Sequence, residues 1–255
     1  MPSGHAPASE RPAVLVIAGA DSSGGAGLTR DVQVLRDFGV EALCAVTAVT
    51  AQSNVRVQAV HAVPPSLVRA QIEAALATRP VAAVKIGMLG TGGVVDALIE
   101  GLPPRSQVPI VLDPVLVASS GGALLDRGGE KHLRQRLLAR VTLVTPNLPE
   151  SAQLLQADVA TSEPALIEQA RRMLAFGPQA VLIKGGHASG AEAIDWLVSA
   201  DGSIERIATP RVAAERRGTG CTLATAIAAG LARGATLQQA CREAKRYVLE
   251  WLRSS

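Results

Sequence analysis

The run Arg217-Gly218-Thr219-Gly220-Cys221-Thr222 places two glycines, a hydroxyl and a thiol just ahead of an apolar stripe, Leu223, Ile227 and Leu231, at helical spacing. A helix starting there bares backbone N–H groups that have no intrahelical partner, at the positive end of the macrodipole. Gly218, Thr219 and Gly220 thus form a nest suited to a phosphate, or to charge developing on a phosphoryl group in transfer. Cys221 falls in the first turn, where the same field favours thiolate over thiol. The competing reading is an ordinary glycine-rich loop ahead of a small buried thiol, and short glycine motifs alone do not separate the two.

Other polar residues fall where apolar runs end. Asp21 and Gln52 follow two such runs, Asp113 closes Pro109–Asp113, Asn147 and Glu150 lie in Thr145-Pro146-Asn147-Leu148-Pro149-Glu150, and Lys184 closes Val181–Lys184. Carboxylates with an Asn suit Mg²⁺, a hard ion that takes oxygen ligands and phosphate oxygens. A lysine supplies a point charge for phosphate. With the nest, these are the parts phosphoryl transfer needs, since its catalysis is mostly positioning and electrostatics. Asp31 lies on the apolar stripe of Leu28, Val32 and Leu35, and an inward carboxylate is costly unless paired. It either pairs with Arg30 or a loop N–H, or meets a ligand. Gln52 reads as a contact to a heterocycle or as a turn residue.

Positioning these groups at one edge takes a parallel sheet. Val14–Ile17 is an apolar run expected of a strand buried on both faces, followed by a glycine loop from Gly19 to Gly27 and a helix. Strands are expected over 42–50, 55–63, 81–86, 109–113, 141–145 and 179–184, and helices near 66–78, 92–101, 126–138, 149–155 and 163–176. A hairpin at 192–208 and two final helices complete the chain. Gly234 stops the first of these helices. Thr236 and Gln239 form a capping box for the last, on whose stripe Cys241 is a core residue. Repeated βα units give an α/β fold in three layers, a mostly parallel sheet with helices on both faces. Ligands of such sheets bind beyond the carboxyl ends of the strands. No internal repeat or linker divides the chain, so the reading is a flexible tail over 1–11 and one domain over 12–255.

The 255 residues are 48% apolar, enough for a large core, and 18% charged. A net charge of +3, scattered basic residues and 2% aromatics argue against nucleic-acid binding despite a pI near 9.0. Three dispersed cysteines speak against a disulfide framework. No apolar run approaches a membrane span of about 18 residues. These features point to a soluble, cytoplasmic protein.

Taken together, the motifs resemble those of the hydroxymethylpyrimidine/phosphomethylpyrimidine kinases of thiamin biosynthesis, ribokinase-like enzymes, from about Val14 to Trp251. The resemblance rests on Gly19–Gly27 with Asp31, Thr47–Gln52, Lys85-Ile86-Gly87-Met88, Asp113-Pro114-Val115, Thr145–Glu150, Lys184-Gly185-Gly186-His187 and Gly218–Thr222. It implies ATP, Mg²⁺ and two successive phosphorylations, of the hydroxymethyl group and then of the monophosphate. It further implies that Gly19, Asp31, Gln52 and Met88 hold the aminopyrimidine and that Cys221 is the base beside the Gly218–Gly220 anion hole. Asp113 and Glu150 would hold Mg²⁺, with Asn147, Lys184 and Gly186 near the nucleotide. A homodimer formed through the segment around 42–62 is a further implication. Arg217 stands where the family commonly has histidine, either as a cation for the substrate's phosphate or pointing outward. Ser119 stands where lysine is often found, and no His-rich segment follows Trp251 before Ser255. The rival readings are a pyridoxal or pyridoxine kinase and a non-catalytic pyrimidine-binding protein.

Overall fold

The structure is a computed structural model, and it describes residues 11–53, 56–117, 122–185, 190–214 and 216–254. In chain order the elements are β1 (Ala13–Asp21), α1 (Gly27–Asp37), β2 (Glu41–Gln52), β3 (Val57–Ala62), α2 (Pro65–Thr78), β4 (Ala83–Ile86), α3 (Gly92–Gly101) and β5 (Ile110–Leu112). They continue as α4 (Arg127–His132), β6 (Leu143–Val144), α5 (Leu148–Leu155), α6 (Glu163–Leu174), β7 (Ala180–Lys184), β8 (Glu192–Ser199), β9 (Ile204–Pro210), α7 (Thr219–Ala232) and α8 (Leu237–Arg253). All strands join one nine-stranded sheet in the order β3-β2-β1-β4-β5-β6-β7-β8-β9. The stretch from β2 to β7 is parallel, β3 and β8 run against it at the two margins, and β9 pairs antiparallel with β8.

Alternation along β1 divides the core. Leu15 and Ile17 face a cluster shared with α2, α3, α5 and α6, whereas Val14, Val16 and Ala18 face α1, α7 and α8. Side chains of a strand point to opposite faces, so a continuous apolar run is what a strand covered on both faces requires. The three-layer reading is thus borne out. α7 packs over β1, β4 and β5 and is buried all round from Thr222 to Gly230, which fixes its first turn at the carboxyl edge of the sheet. Gly234 ends this helix at φ +87°, the left-handed region that glycine adopts without strain.

Several details differ from the expectations. β5 stops at Leu112, because Pro114 has no N–H with which to extend the ladder, and Asp113 is left at the strand's mouth. The helix expected over 126–138 is regular only to His132. It continues through a π-helical turn, Leu133–Leu137, and a 3₁₀ turn, Leu138–Arg140, which together keep Leu133, Leu137 and Leu138 buried. On α1 the inward face is rotated from the expected stripe: Val32 is 39% exposed, while Asp31, Val34 and Leu35 are buried. No helix among the described residues is long and apolar enough to cross a membrane. Of the expected tail, only Arg11 is described. Ser119, Gly186 and His187 lie outside the described residues, as does most of 185–189.

Candidate active site

The ends of β5, β6 and β7 bring three charged groups to one point. Lys184, the last residue of β7, directs Nζ to Asp113 Oδ1 at 2.7 Å and lies 3.7 Å from Glu150 Oε2. Its own N–H donates to the Pro146 carbonyl at 2.8 Å, tying β7 to the β6–α5 turn. Asn147 and Glu150 close that turn as a capping box: Asn147 Oδ1 accepts from Glu150 N–H, and Glu150 Oε2 accepts from Asn147 N–H, both at 2.8 Å. All three charged side chains are nearly buried, so their charges are weakly screened. Burial pushes Glu150 upward and Asp113 adds to the rise, against the downward pull of Lys184 and the Asn147 N–H. Burial alone would lower the Lys184 ammonium, yet Asp113 and Glu150 hold its pKa above the ordinary lysine value.

The first turn of α7 faces this cluster. No side chain caps α7; the N-cap is Gly218 at φ +80°. A β-carbon there would collide with the Gly25 carbonyl, so both the backbone sign and the space demand glycine. At Gly220 a β-carbon would lie 3.1 Å from Lys184 Nζ and 3.4 Å from Asp113 Oδ2, so the nest faces the charged cluster with no side chain between them. Thr219 Oγ1 donates to the Arg216 carbonyl at 2.7 Å, which braces the turn. An anion lodged there would meet uncapped N–H groups and an ammonium together.

Cys221 is half-buried in this turn. Its expected thiolate character is overturned. Burial and the charges of Asp31 and Asp113 push the thiol up to about 11, against the opposing pull of Lys85 and the Gly27 N–H. The helix field that favours thiolate loses to desolvation and to two nearby carboxylates. The sign is clear: a raised pKa keeps the proton on sulfur at neutral pH, and thiolate accumulates only as pH climbs toward 11. Cys221 is therefore expected to react with iodoacetamide at pH 7 on the order of a hundredfold more slowly than an unperturbed thiol. Site-resolved mass spectrometry across pH 7–11 checks this; a rate already on its plateau by pH 8 would contradict it.

Beneath the turn lies a fully buried ion pair. Lys85 Nζ meets Asp31 Oδ2 at 2.7 Å with both side chains at 0% exposure, and Thr225 of α7 donates to Asp31 Oδ1 at 2.6 Å. Burial works against the Lys85 ammonium, but the carboxylates of Asp31 and Asp113 pull the other way and the net shift is upward, so Lys85 stays charged. Burial likewise pushes Asp31 upward against Lys85 and Thr225. Asp31 thus has no exposed surface. The structure pairs it with Lys85 and Thr225, not with Arg30. Sequence reasoning missed Lys85 as a site residue. The available signal was a lysine within an apolar strand of a sheet covered on both faces, where a charge persists only if paired.

The other side of the cleft is the glycine loop. Asp21 accepts from Ser23 N–H and Ser23 Oγ at 2.8 Å each and from Ala26 N–H at 3.0 Å, which sets the loop's path. Arg217 Nη2 meets Asp21 Oδ2 at 3.2 Å, while Nη1 donates to Ser23 Oγ and the Ser53 carbonyl. Arg217 thus staples the loop to the end of β2. Gln52 is fixed there through its backbone, which exchanges hydrogen bonds with Ser22 Oγ at 2.9 Å. Gly19 and Met88 come together so closely that a β-carbon on Gly19 would lie 2.8 Å from Met88 Sδ. Among the described residues no group of three or more His, Cys, Asp or Glu side chains forms a ready metal cage.

Uncapped helix amides, a buried ammonium and two carboxylates at the mouth of a parallel sheet act on charge in flight, and the class they define is a kinase of small molecules. The family model for phosphomethylpyrimidine kinase matches residues 21–255, and the chain belongs to that family. It is 40% identical over 235 residues to the hydroxymethylpyrimidine/phosphomethylpyrimidine kinase of Salmonella typhimurium, covering 92% of this chain and 88% of that one. It is 39% identical over 245 residues to the thiamine biosynthesis bifunctional protein ThiED of Geobacter sulfurreducens. There the match covers 95% of this chain but spans only 49% of the relative's length. Among solved structures it resembles the phosphomethylpyrimidine kinase of Clostridium difficile, with TM-score 0.83, 32% identity and coverage of 95% and 100% of the two chains. An ADP complex of Bacillus subtilis pyridoxal kinase is similar at TM-score 0.84 and 29% identity, over 93% and 90%.

Proposed function

We propose that the chain transfers the γ-phosphoryl group of ATP to 4-amino-5-hydroxymethyl-2-methylpyrimidine and then to the resulting monophosphate, as part of thiamin biosynthesis. The observation that carries this reading is the approach at Gly220, where the amide nest faces the Lys184–Asp113 pair with no side chain between them. In the first step the hydroxymethyl oxygen attacks the γ-phosphorus, and the bond to the oxygen bridging the β- and γ-phosphates breaks. Amides of Gly218–Gly220 and the Lys184 ammonium stabilise the charge spread over the transferring group. Cys221, in its thiolate form, takes the hydroxyl proton; its high pKa makes that form scarce at pH 7, so base catalysis strengthens as pH rises. Gly19, Met88 and Gln52 line the pyrimidine's place, with Asp31 acting from below through Lys85. Asn147 lies beside the nucleotide, and Gly186 is assigned there by resemblance alone.

The oxygen donors of Asp113 and Glu150 fit Mg²⁺, because they are hard ligands already gathered around a cation, the Lys184 ammonium. Two carboxylates do not fill an octahedral shell, so water and phosphate oxygens would complete it. When bound, the ion would neutralise charge on the β- and γ-phosphates. A homodimer through β2 and β3 suits the exposed Val49 and Val60, and a cytoplasmic setting suits three unpaired thiols.

A second reading, pyridoxal phosphorylation, is favoured by the structural likeness to the pyridoxal kinase of B. subtilis. Coupled ADP release with Mg-ATP and hydroxymethylpyrimidine, its monophosphate or pyridoxal, side by side, separates the two. Turnover of both pyrimidine species with pyridoxal weak is the expected outcome, and turnover of pyridoxal alone would replace the reading.

A further inference from the structure

A cleft of about 460 Å³ opens beside the glycine loop, walled by Gly24 and Gly25, three arginines (Arg30, Arg216, Arg217), Gln33 and Trp251. Among the described residues its lining carries three guanidinium groups and no carboxylate. Among the described residues, the acid paired with this set is Asp21, on Arg217. Arg30 is 8% exposed, and its guanidinium is incompletely satisfied: Nε donates to Thr222 Oγ1 at 2.9 Å and Nη1 to Gln33 Oε1 at 3.1 Å, but Nη2 is buried without an acceptor. The neighbouring Tyr247 hydroxyl donates to Asp37, and its oxygen lies within the influence of the Arg30 guanidinium. Leaving a charged donor unmet costs more than leaving a neutral one, and such groups in folded proteins ordinarily have a partner.

The cleft is also held rigid. Arg30 Cζ stacks 4.2 Å from the centroid of the Trp251 ring and Arg216 Cζ 4.5 Å from it, and Arg216 Nη1 donates to the Trp251 carbonyl at 2.6 Å. Stacking on an aromatic ring fixes the plane of a guanidinium while leaving edge N–H groups to bind. Planar forks of this kind match the oxygens of a phosphate, and charge-assisted bonds to it are roughly twice as strong as neutral ones.

We propose that this arginine-lined cleft is an anion-binding site for a phosphate group, inorganic phosphate or a small phosphate monoester, separate from the nest at Gly218–Gly220. It adjoins the nest through Arg30, whose Nε holds Thr222, the residue after Cys221. The site stands independently of which acceptor the kinase uses.

Calorimetric titration of the full chain with inorganic phosphate, against chloride at matched ionic strength, tests it. Saturable binding is expected, weakened about tenfold or more in Arg216→Gln and largely kept in Lys184→Gln, which disarms the nest side. Arg30→Gln, with folding checked by its melting temperature, should weaken binding as well. Absence of saturable binding in the wild type, or full retention in Arg216→Gln, would overturn the proposal. Loss in Lys184→Gln with retention in Arg216→Gln would assign the phosphate to the nest instead.

Discussion

Replacing Cys221 with alanine is expected to lower kcat by about two to four orders of magnitude, the usual worth of a positioned general base. The thermal shift produced by Mg-ATP should survive, because the amides of Gly218–Gly220 and the Lys184–Asp113 pair remain in place. Folding should change little, since the lost group is one half-buried sulfur atom. The pH profile separates a base from a bystander. Burial with Asp31 and Asp113 raises the thiol to about 11, so wild-type kcat should increase with pH through the range in which thiolate grows. In Cys221→Ala that rise should vanish. A variant that turns over near the wild-type rate, or a wild-type profile flat from pH 7 to 10, would remove Cys221 as proton acceptor.

The second large effect concerns folding. Asp31→Ala leaves the Lys85 ammonium buried at 0% exposure with its partner gone, and removing one member of a buried pair destabilises by about 3–5 kcal/mol. The paired replacement Asp31→Leu with Lys85→Met removes both charges together and should recover much of that loss, because apolar pairs of similar volume often match a buried ion pair. Denaturant melts of the single and double variants measure the coupling directly. If Asp31→Ala kept full stability and only raised the KM for the acceptor, Asp31 would be a substrate ligand after all, and the buried pair would carry no structural weight.

These two cases mark where the sequence could be read and where it could not. The sheet's mouth was legible because each strand there ends on punctuation with a physical cause: Asp113 before Pro114, Asn147 as an N-cap residue, Gly218 as a residue that must adopt positive φ. Local rules suffice for such features. The Asp31–Lys85 pair joins residues 54 apart, and it forms only because β1 and β4 lie side by side with α1 and α7 across one face. The stripe of Leu28, Val32 and Leu35 pointed to nearly the right face of α1, but the buried face also takes in Asp31 and Val34 and leaves Val32 exposed. The thiol of Cys221 was misjudged for a similar reason. A helix N-terminus is visible in sequence, whereas the convergence of Asp31, Asp113 and burial on one sulfur atom is a property of the folded chain. Arg217 had two readings as a surface group or a phosphate cation, and it proved to be bound to Asp21, Ser23 and Ser53, residues far from it in the chain.

The most direct measurement is a ³¹P NMR time course of purified protein with Mg-ATP and hydroxymethylpyrimidine. The account predicts a phosphate monoester signal that rises first and is then consumed as a pyrophosphate ester appears, each phosphoryl group accounted for by one ADP. Signals confined to ATP, ADP and inorganic phosphate, with no phosphorylated pyrimidine at any time, would contradict it.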